Sequence, residues 1–246
     1  MSIYLKDANG TVYTFGESFF IEGLPWSMRV NGKEIAYSHG VKDIADNKID
    51  KRLIVITGDI HGSDYETQLA ALNAALFKQN QTLYYDADKY LKVKTVQSVS
   101  HKNVRGAFGT VCEVEIKLFC EDPFFYKFTQ TSYFVILDSS PKQFTVTNPG
   151  KVDVFPVLGL TALVTISTFE LVNITTGMSF IFHDTGFTPG KTITIDCVNG
   201  EVDNSGTDAI RYFDGLFPSL AAGGNIFQYT GATIGGLSFL FYERNL

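Results

Sequence analysis

The sequence predicts a mainly β protein in two parts: an N-terminal β-structure carrying one helix, then a C-terminal antiparallel β-sandwich. Three observations predict it. In VCEVEIKLFC, Cys112, Val114, Ile116, Leu118 and Cys120 alternate with Glu113, Glu115, Lys117 and Phe119, so one face is apolar and the other largely charged, as in a half-buried strand. After residue 140, about nine short apolar runs follow one another between turn residues with no helical period. Only one stretch has helical spacing: Tyr65, Leu69, Leu72 and Leu76 fall at i, i+4, i+7 and i+11. The 22 Gly against 7 Pro, with 45% hydrophobic and 19% charged residues, favour short strands joined by turns over helical bundles or disorder.

In chain order, the start MSIYLKDANG has no basic segment followed by an apolar core, and no run reaches 18 apolar residues, so neither a signal peptide nor a membrane span is expected. ESFFIEGLPW then places the single Trp26 near Phe19 and Phe20. These three are either core residues or anchors for a neighbouring molecule, because Trp and aromatic clusters dominate interface energetics.

The run IVITGDIHGSDYET resembles the first metal-binding stretch of metallophosphatases, since Asp59 and His61 offer a carboxylate and an imidazole at a strand end. A bimetallic phosphoester site needs a bridging carboxylate, an Asn and further His residues. The second Gly-Asp and the Gly-Asn-His blocks that would supply them are absent. Asp59 to Ser63 are therefore expected to form a turn into a helix over roughly 64–79, with Ser63 and Glu66 as its capping box.

Beyond the helix, LKVKT and VCEVEIKLFC read as strands of one antiparallel sheet. SHKNVRGAFGT between them reads as a long hairpin tip, with Lys102 and Arg105 as solvated charges. In EDPFFYKFTQT, Pro123 interrupts the pattern, and Phe124, Phe125, Tyr126 and Phe128 cluster as core filling or as a seam between domains or subunits. LDSSPKQFTVTNPGK turns small and polar, which places a domain boundary near 140 and gives domains 1–140 and 141–246. In the final strand Phe239, Phe241 and Tyr242 alternate with Leu240, so this strand is expected to be covered on both faces, centrally or at an interface.

Function classes narrow by exclusion. A formal charge of −6 argues against a dedicated nucleic-acid binder. Cys112, Cys120 and Cys197 are odd in number without a C-x-x-C pair, so buried free thiols are expected. No G-x-S-x-G elbow occurs, and AAGGNIF lacks the lysine and the strand-to-helix context of a phosphate loop. Asp184, Asp196 and Asp203 lack calcium-loop spacing and read as turn residues.

Three pieces taken in order resemble one family. FCEDPFFY ends the first part, NPGKVDVFPVLGL opens the second, and TITIDCVNGEVDNSG is followed by FPSLAAGGNIFQYTG near its close. Together they resemble the distal tail proteins of long, non-contractile-tailed bacteriophages, over roughly residues 50–235.

The resemblance implies a barrel-like N-terminal ring-forming domain with one packed helix, and a galectin-like C-terminal sandwich projecting outward. It implies a structural protein of the virion, no enzyme and without cofactor, assembled in the bacterial host's cytoplasm. The expected partners are five further copies of itself, the major tail tube protein, a tail-associated lysin, hub or tape-measure protein, and a receptor-binding protein or tail fibre. DNA would pass through the channel without specific binding. Candidate interface residues are Phe19, Phe20, Trp26, Phe124, Phe125 and Tyr126. Two readings from other classes are a standalone carbohydrate-binding module, which predicts exposed aromatics flanked by Asp, Asn or Gln at a sandwich edge, and a metal-dependent phosphoesterase, which predicts metal at Asp59 and His61.

Overall fold

A computed structural model describes residues 3–23, 26–34, 41–85, 88–103, 110–120, 122–232 and 234–245, with backbone alone at 23, 26–34, 41–50 and 234. The chain divides into two compact units, Met1–Phe125 and Tyr126–Leu246.

Unit 1 comprises β1 (Tyr4–Lys6), β2 (Val12–Thr14), β3 (Phe20–Gly23), β4 (Trp26–Glu34), β5 (Val41–His61), α1 (Tyr65–Leu76), β6 (Gln81–Tyr84), β7 (Lys89–Val93), β8 (Thr95–Asn103) and β9 (Val111–Cys120). One of its sheets runs β7-β6-β1-β2 and the other β3-β5-β9-β8, with β4 also paired to β5. The N-terminal domain is the expected β-structure with one packed helix, as two open sheets and not a closed barrel: neither sheet returns to its first strand, and β3 and β8 end the second sheet as separate edges.

Period two holds as expected. Ile54, Ile56 and Ile60 of β5 face Leu118, Ile116 and Cys112 of β9 in register, and all six are buried. Gly58 interrupts this inner row because Phe19 lies there: a Cβ on Gly58 would sit 2.6 Å from the Phe19 ring and 2.8 Å from its Cα.

The helix is shorter than 64–79 and starts differently. β5 stays paired with β9 through His61↔Val111, so Asp59 to His61 are strand residues and the expected turn begins only at Gly62, with φ +111°. Asp64 consequently takes the N-cap position, with no side-chain cap bond, and Ser63 lies outside it. The Asp64 carboxylate accepts instead from Gln68 Nε2 at 2.9 Å. The apolar stripe itself is graded. Leu72 and Leu76 are buried, while Tyr65 and Leu69 pack half-buried against the same core. Two buried leucines at ~1.5–3 kcal/mol each hold α1 on the sheet.

The end of α1 is also tied to the β1–β2 turn. Lys78 Nζ lies 2.6 Å from Asp7 Oδ2, and Asp7 Oδ1 accepts the backbone N–H groups of Asn9 and Thr11 at 3.0 and 2.7 Å. The Lys78 bond, reinforced by Thr11, holds the Asp7 carboxyl at about 2, below the ordinary carboxylate range. Because the folded value is depressed, this group favours the fold above pH ~4 and loses its contribution as pH falls from there through about 2. Lys78→Met is expected to move the Asp7 midpoint up toward 4 in an NMR carboxyl titration; an unmoved midpoint would remove Lys78 as the cause.

Unit 2 holds β10 (Phe125–Leu137, all but its first residue), β11 (Lys142–Asn148), β12 (Val157–Thr161), β13 (Ile166–Asn173), β14 (Met178–Phe187), β15 (Thr192–Asp196), β16 (Glu201–Asn204), β17 (Phe213–Gly215), β18 (Gly223–Gly231) and β19 (Ile234–Asn245). They form the expected antiparallel sandwich of two sheets, β16-β15-β12-β19-β10 and β11-β18-β13-β14-β17. Phe169, Phe180, Phe182, Phe187, Phe227, Tyr229 and Phe239 fill the space between them.

The unit boundary falls at Phe125/Tyr126 and not near 140, because β10 bonds along β19 and so belongs with the sandwich; the small polar stretch is the β10–β11 turn. β19 is central, between β12 and β10. Leu237, Phe239 and Phe241 are buried on its inner face, whereas Tyr242 on the other face is 40% exposed, so only one face is fully covered.

Candidate assembly surfaces

Asp59 and His61 lie on the outer face of β5, where Asp59 stands opposite Glu113 and His61 opposite Val111. Among the described residues, no three His, Cys, Asp or Glu side chains come together as a metal site. The three cysteines are buried free thiols, and burial pushes the Cys120 thiol up to about 12 and Cys197 higher still, which removes them as thiolate nucleophiles near neutral pH.

The outer face of the β3-β5-β9-β8 sheet is charged and shallow. Rows Asp59–Glu113–Lys102 and Thr57–Glu115–Ser100 cross it in register. Asp59 opposite Glu113 puts two carboxylates on facing positions, an unfavourable pairing, and Lys102 offsets it from 3.5 Å. Lys117 pairs Glu115 at 3.1 Å. Lys102 and Lys117 on this face are thus already engaged by carboxylates. Phe20, 57% exposed, borders the cleft of about 440 Å³ over Asp59, Glu113 and Glu115.

The backbone of unit 1 shows a feature that the sequence did not announce. β9 pairs β5 only from Arg52 to His61, whereas β4 pairs β5 from Val41 to Arg52. Residues 41–51 therefore have β4 as their single partner strand among the described residues. At ~3.3 Å per residue this two-stranded arm is about 35 Å long. Such ribbons are marginal without a third strand or a covering surface. The signal available in the sequence was a run of more than 35 residues after Pro25 without another proline, which no domain pattern claimed.

Of the six aromatic candidates, Phe19 is buried in the unit 1 core, and Phe125 is buried with its ring against Tyr85 at 5.2 Å. Tyr126 is buried and Phe124 half-buried. Phe20 is open to solvent. Trp26 opens the arm, opposite Arg52, and its side chain lies outside the described residues, as does Arg105.

Arg52 was not singled out by pattern. It sits at the arm's root, opposite buried Cys120, with its guanidinium 4.3 Å from the Phe125 ring centre. It is only 2% exposed, its Nε and Nη2 have no hydrogen-bond partner, and burial lowers its pKa.

Unit 2 is braced by three buried amides, of which Asn148 and Asn225 come from the motifs that carried the family resemblance. Asn148 Nδ2 donates to the Val152 and Leu220 carbonyls at 3.0 and 3.2 Å, and its Oδ1 accepts from Gly150 N–H at 3.0 Å. Asn173 Nδ2 donates to the Ser219 carbonyl at 2.7 Å and to Asn225 Oδ1 at 3.3 Å. Asn225 in turn holds Ala221 through both its N–H and its carbonyl, each at 2.8 Å. The NPG and GGN runs are therefore fixed points for the loop before β18, in place of any phosphate cradle. On the outer face of the β11-β18-β13-β14-β17 sheet lie Thr145, Gln143, Gln228, Glu170, Val172 and Ile181, without an aromatic platform for a sugar.

Comparison with known proteins agrees with this architecture. Residues 149–244 match the family described as siphovirus-type tail component, C-terminal domain. The crystal structure of the Dit protein (gp 19.1) of phage SPP1, described as a paradigm of the hub adsorption apparatus in phages infecting Gram-positive hosts, superposes with a TM-score of 0.76 over 99% of both chains at 12% identity. No curated protein matches the sequence. Residues 149–244 are thus similar to the siphovirus-type tail components, and along its whole length the chain has the fold of the SPP1 Dit protein.

Proposed function

We propose that this chain is a structural protein of a siphophage tail tip, in which unit 1 closes a six-membered ring around a channel and unit 2 faces outward. The observation that carries the reading is the arm: among the described residues, residues 41–51 are paired by β4 alone, and the same sheet ends at the edge strand β8. Two unlike open edges on one sheet suit a head-to-tail contact, which makes rings when the rotation closes. Strand addition removes both hazards at once, since the exposed edge is paired and the ribbon is covered.

In this arrangement the outer face of the β3-β5-β9-β8 sheet lines the channel. Its Lys102 and Lys117 are held by Glu113 and Glu115, which reduces the cations open to phosphate, so DNA passes without being retained. The ring joins the tail tube protein on one side and the hub, lysin or tape-measure protein on the other, and receptor-binding proteins or fibres attach around it. Its place is the virion, with assembly in the host cytoplasm. The chemistry asked of it is surface complementarity, with no bond made or broken.

Light scattering after size exclusion tests the reading. The full chain is expected at six times its 27.2 kDa mass. A variant with residues 29–48 replaced by Asn-Gly is expected to remain folded and run as a monomer. A monomeric full chain at high concentration would overturn the ring, and a six-membered ring formed without the arm would overturn the arm's part in it.

A further inference from the structure

We propose that one end of the unit 2 sandwich is a preformed docking surface for a protein segment that presents apolar side chains between lysines or arginines. Three loops meet there, and each exposes a large apolar side chain. Phe155 in the β11–β12 loop is 42% exposed, Val198 in the β15–β16 turn 64%, and Leu216 in the β17–β18 loop 61%. The loops touch one another. Cys197 N–H donates to the Pro156 carbonyl at 3.2 Å, Val154 and Leu220 exchange backbone bonds of 3.0 and 2.8 Å, and the Phe217 ring lies 3.6 Å from where a Cβ on Gly200 would stand.

This end is rigid. Phe180 in the core stacks on Phe213 at 4.8 Å, and Phe213 stacks on Phe217 at 4.4 Å, so a column of three rings runs from the sandwich interior into the loop that carries Leu216. Gly215, at φ +128°, lies so close to β14 that a Cβ would meet the Ser179 carbonyl, and Leu216 N–H donates to that carbonyl at 2.9 Å. The Asn148, Asn173 and Asn225 bonds fix the remainder of the loop. Surface loops usually lack such bracing, and apolar side chains held immobile in water gain only when something covers them, because the ordering cost has been met beforehand.

Charge selects the occupant. Across 149–156, 196–201 and 213–222, the loops carry Asp153, Asp196, Glu201 and Asp214 against Lys151; Arg244 Nη1 adds a second cation by donating to the Asp153 carbonyl at 3.1 Å, and the balance stays acidic. A second copy of this chain would bring the same carboxylates and a formal charge of −6 to the contact. A partner with a basic rim gains steering and register from them. The surface is built from unit 2 residues alone, so it stands whether or not the ring reading does.

The probe is an amidated peptide alternating leucine and phenylalanine with lysine, titrated into 15N-labelled full chain, with the same peptide carrying glutamate for lysine as control. Saturable shifts confined to 153–156, 196–201 and 214–217 are expected for the lysine peptide. Binding should weaken at least tenfold in Phe155→Ser/Val198→Ser/Leu216→Ser, whose thermal midpoint should stay unchanged because all three side chains are exposed. Glu201→Lys/Asp214→Lys should shift preference toward the glutamate peptide. Equal binding of both peptides by the natural chain, undiminished binding by the triple serine variant, or self-association that this variant abolishes would each overturn the proposal.

Discussion

Asn225→Ala is expected to cost unit 2 about 3–5 kcal/mol, the largest loss from any single polar side chain in the sandwich. The residue is fully buried. Its Oδ1 accepts from Ala221 N–H and from Asn173 Nδ2, while its Nδ2 donates to the carbonyls of Ala221 and Gly223. Alanine leaves an N–H and two carbonyls without their partner and deprives Asn173 of one acceptor. A lost bond between satisfied groups would cost only ~1 kcal/mol, but each group left buried and unpaired costs ~1–3 kcal/mol, so the orphaned groups dominate. Urea denaturation followed by aromatic fluorescence measures it. Gln143→Ala, which breaks the exposed Gln143–Gln228 bond, should change stability by no more than about 0.5 kcal/mol and serves as the control. A loss at Asn225 as small as the control's would show that the loop refolds around the gap and that the amide network does not fix it.

Arg52→Met is expected to act in the opposite direction and stabilise unit 1 by ~1–4 kcal/mol, as seen where buried charges are exchanged for apolar side chains of similar volume. Arg52 has lost its water, and neither Nε nor Nη2 has a hydrogen bond in return. The effective penalty for such a cation is several kcal/mol. Its place over the Phe125 ring returns only about 2 kcal/mol. Methionine keeps most of the apolar contact and sheds the desolvation cost. A lower thermal midpoint in the methionine variant would sink this account, because it would mean that the guanidinium has a partner worth more than its dehydration. Arg52 also stands where β5 leaves β9 and enters the arm. Comparing the oligomeric state of Arg52→Met with that of the natural chain therefore reports whether the unpaired cation at the root serves assembly at the expense of the free subunit.

The elements differ in how far they could be read from the chain, for identifiable reasons. β9 was legible because a half-buried strand must alternate, and VCEVEIKLFC does so with Val111 and Phe119 as the apolar residues on its outer face. The stripe of α1 was legible, but its start was not. Ser63 and Glu66 satisfy a capping box on paper; the pairing of His61 with Val111 then delays the turn, and a strand register set by a distant segment overrides a local cap. ALVTIST and FELVNI have the look of two strands, yet β13 is one strand, Ile166–Asn173, with a register shift between Ile166 and Thr168, and Leu163 and Val164 lie exposed in the loop before it.

Composition, period and turn residues by themselves determined the β class, the one α-helix among the described residues, the sandwich and the absence of any recognised catalytic motif, and ordered motifs carried the resemblance that residues 149–244 share with siphovirus-type tail components. These depend on contacts within a few residues, or on which face a side chain takes. The tertiary structure alone decided which strand edges stay open among the described residues, where the units divide, which aromatics are spent on the core, and that Arg52 Nε and Nη2 are left without hydrogen bonds. Each of those is a property of pairing between segments far apart in the chain, and a one-dimensional pattern carries the propensity to pair but not the identity of the partner.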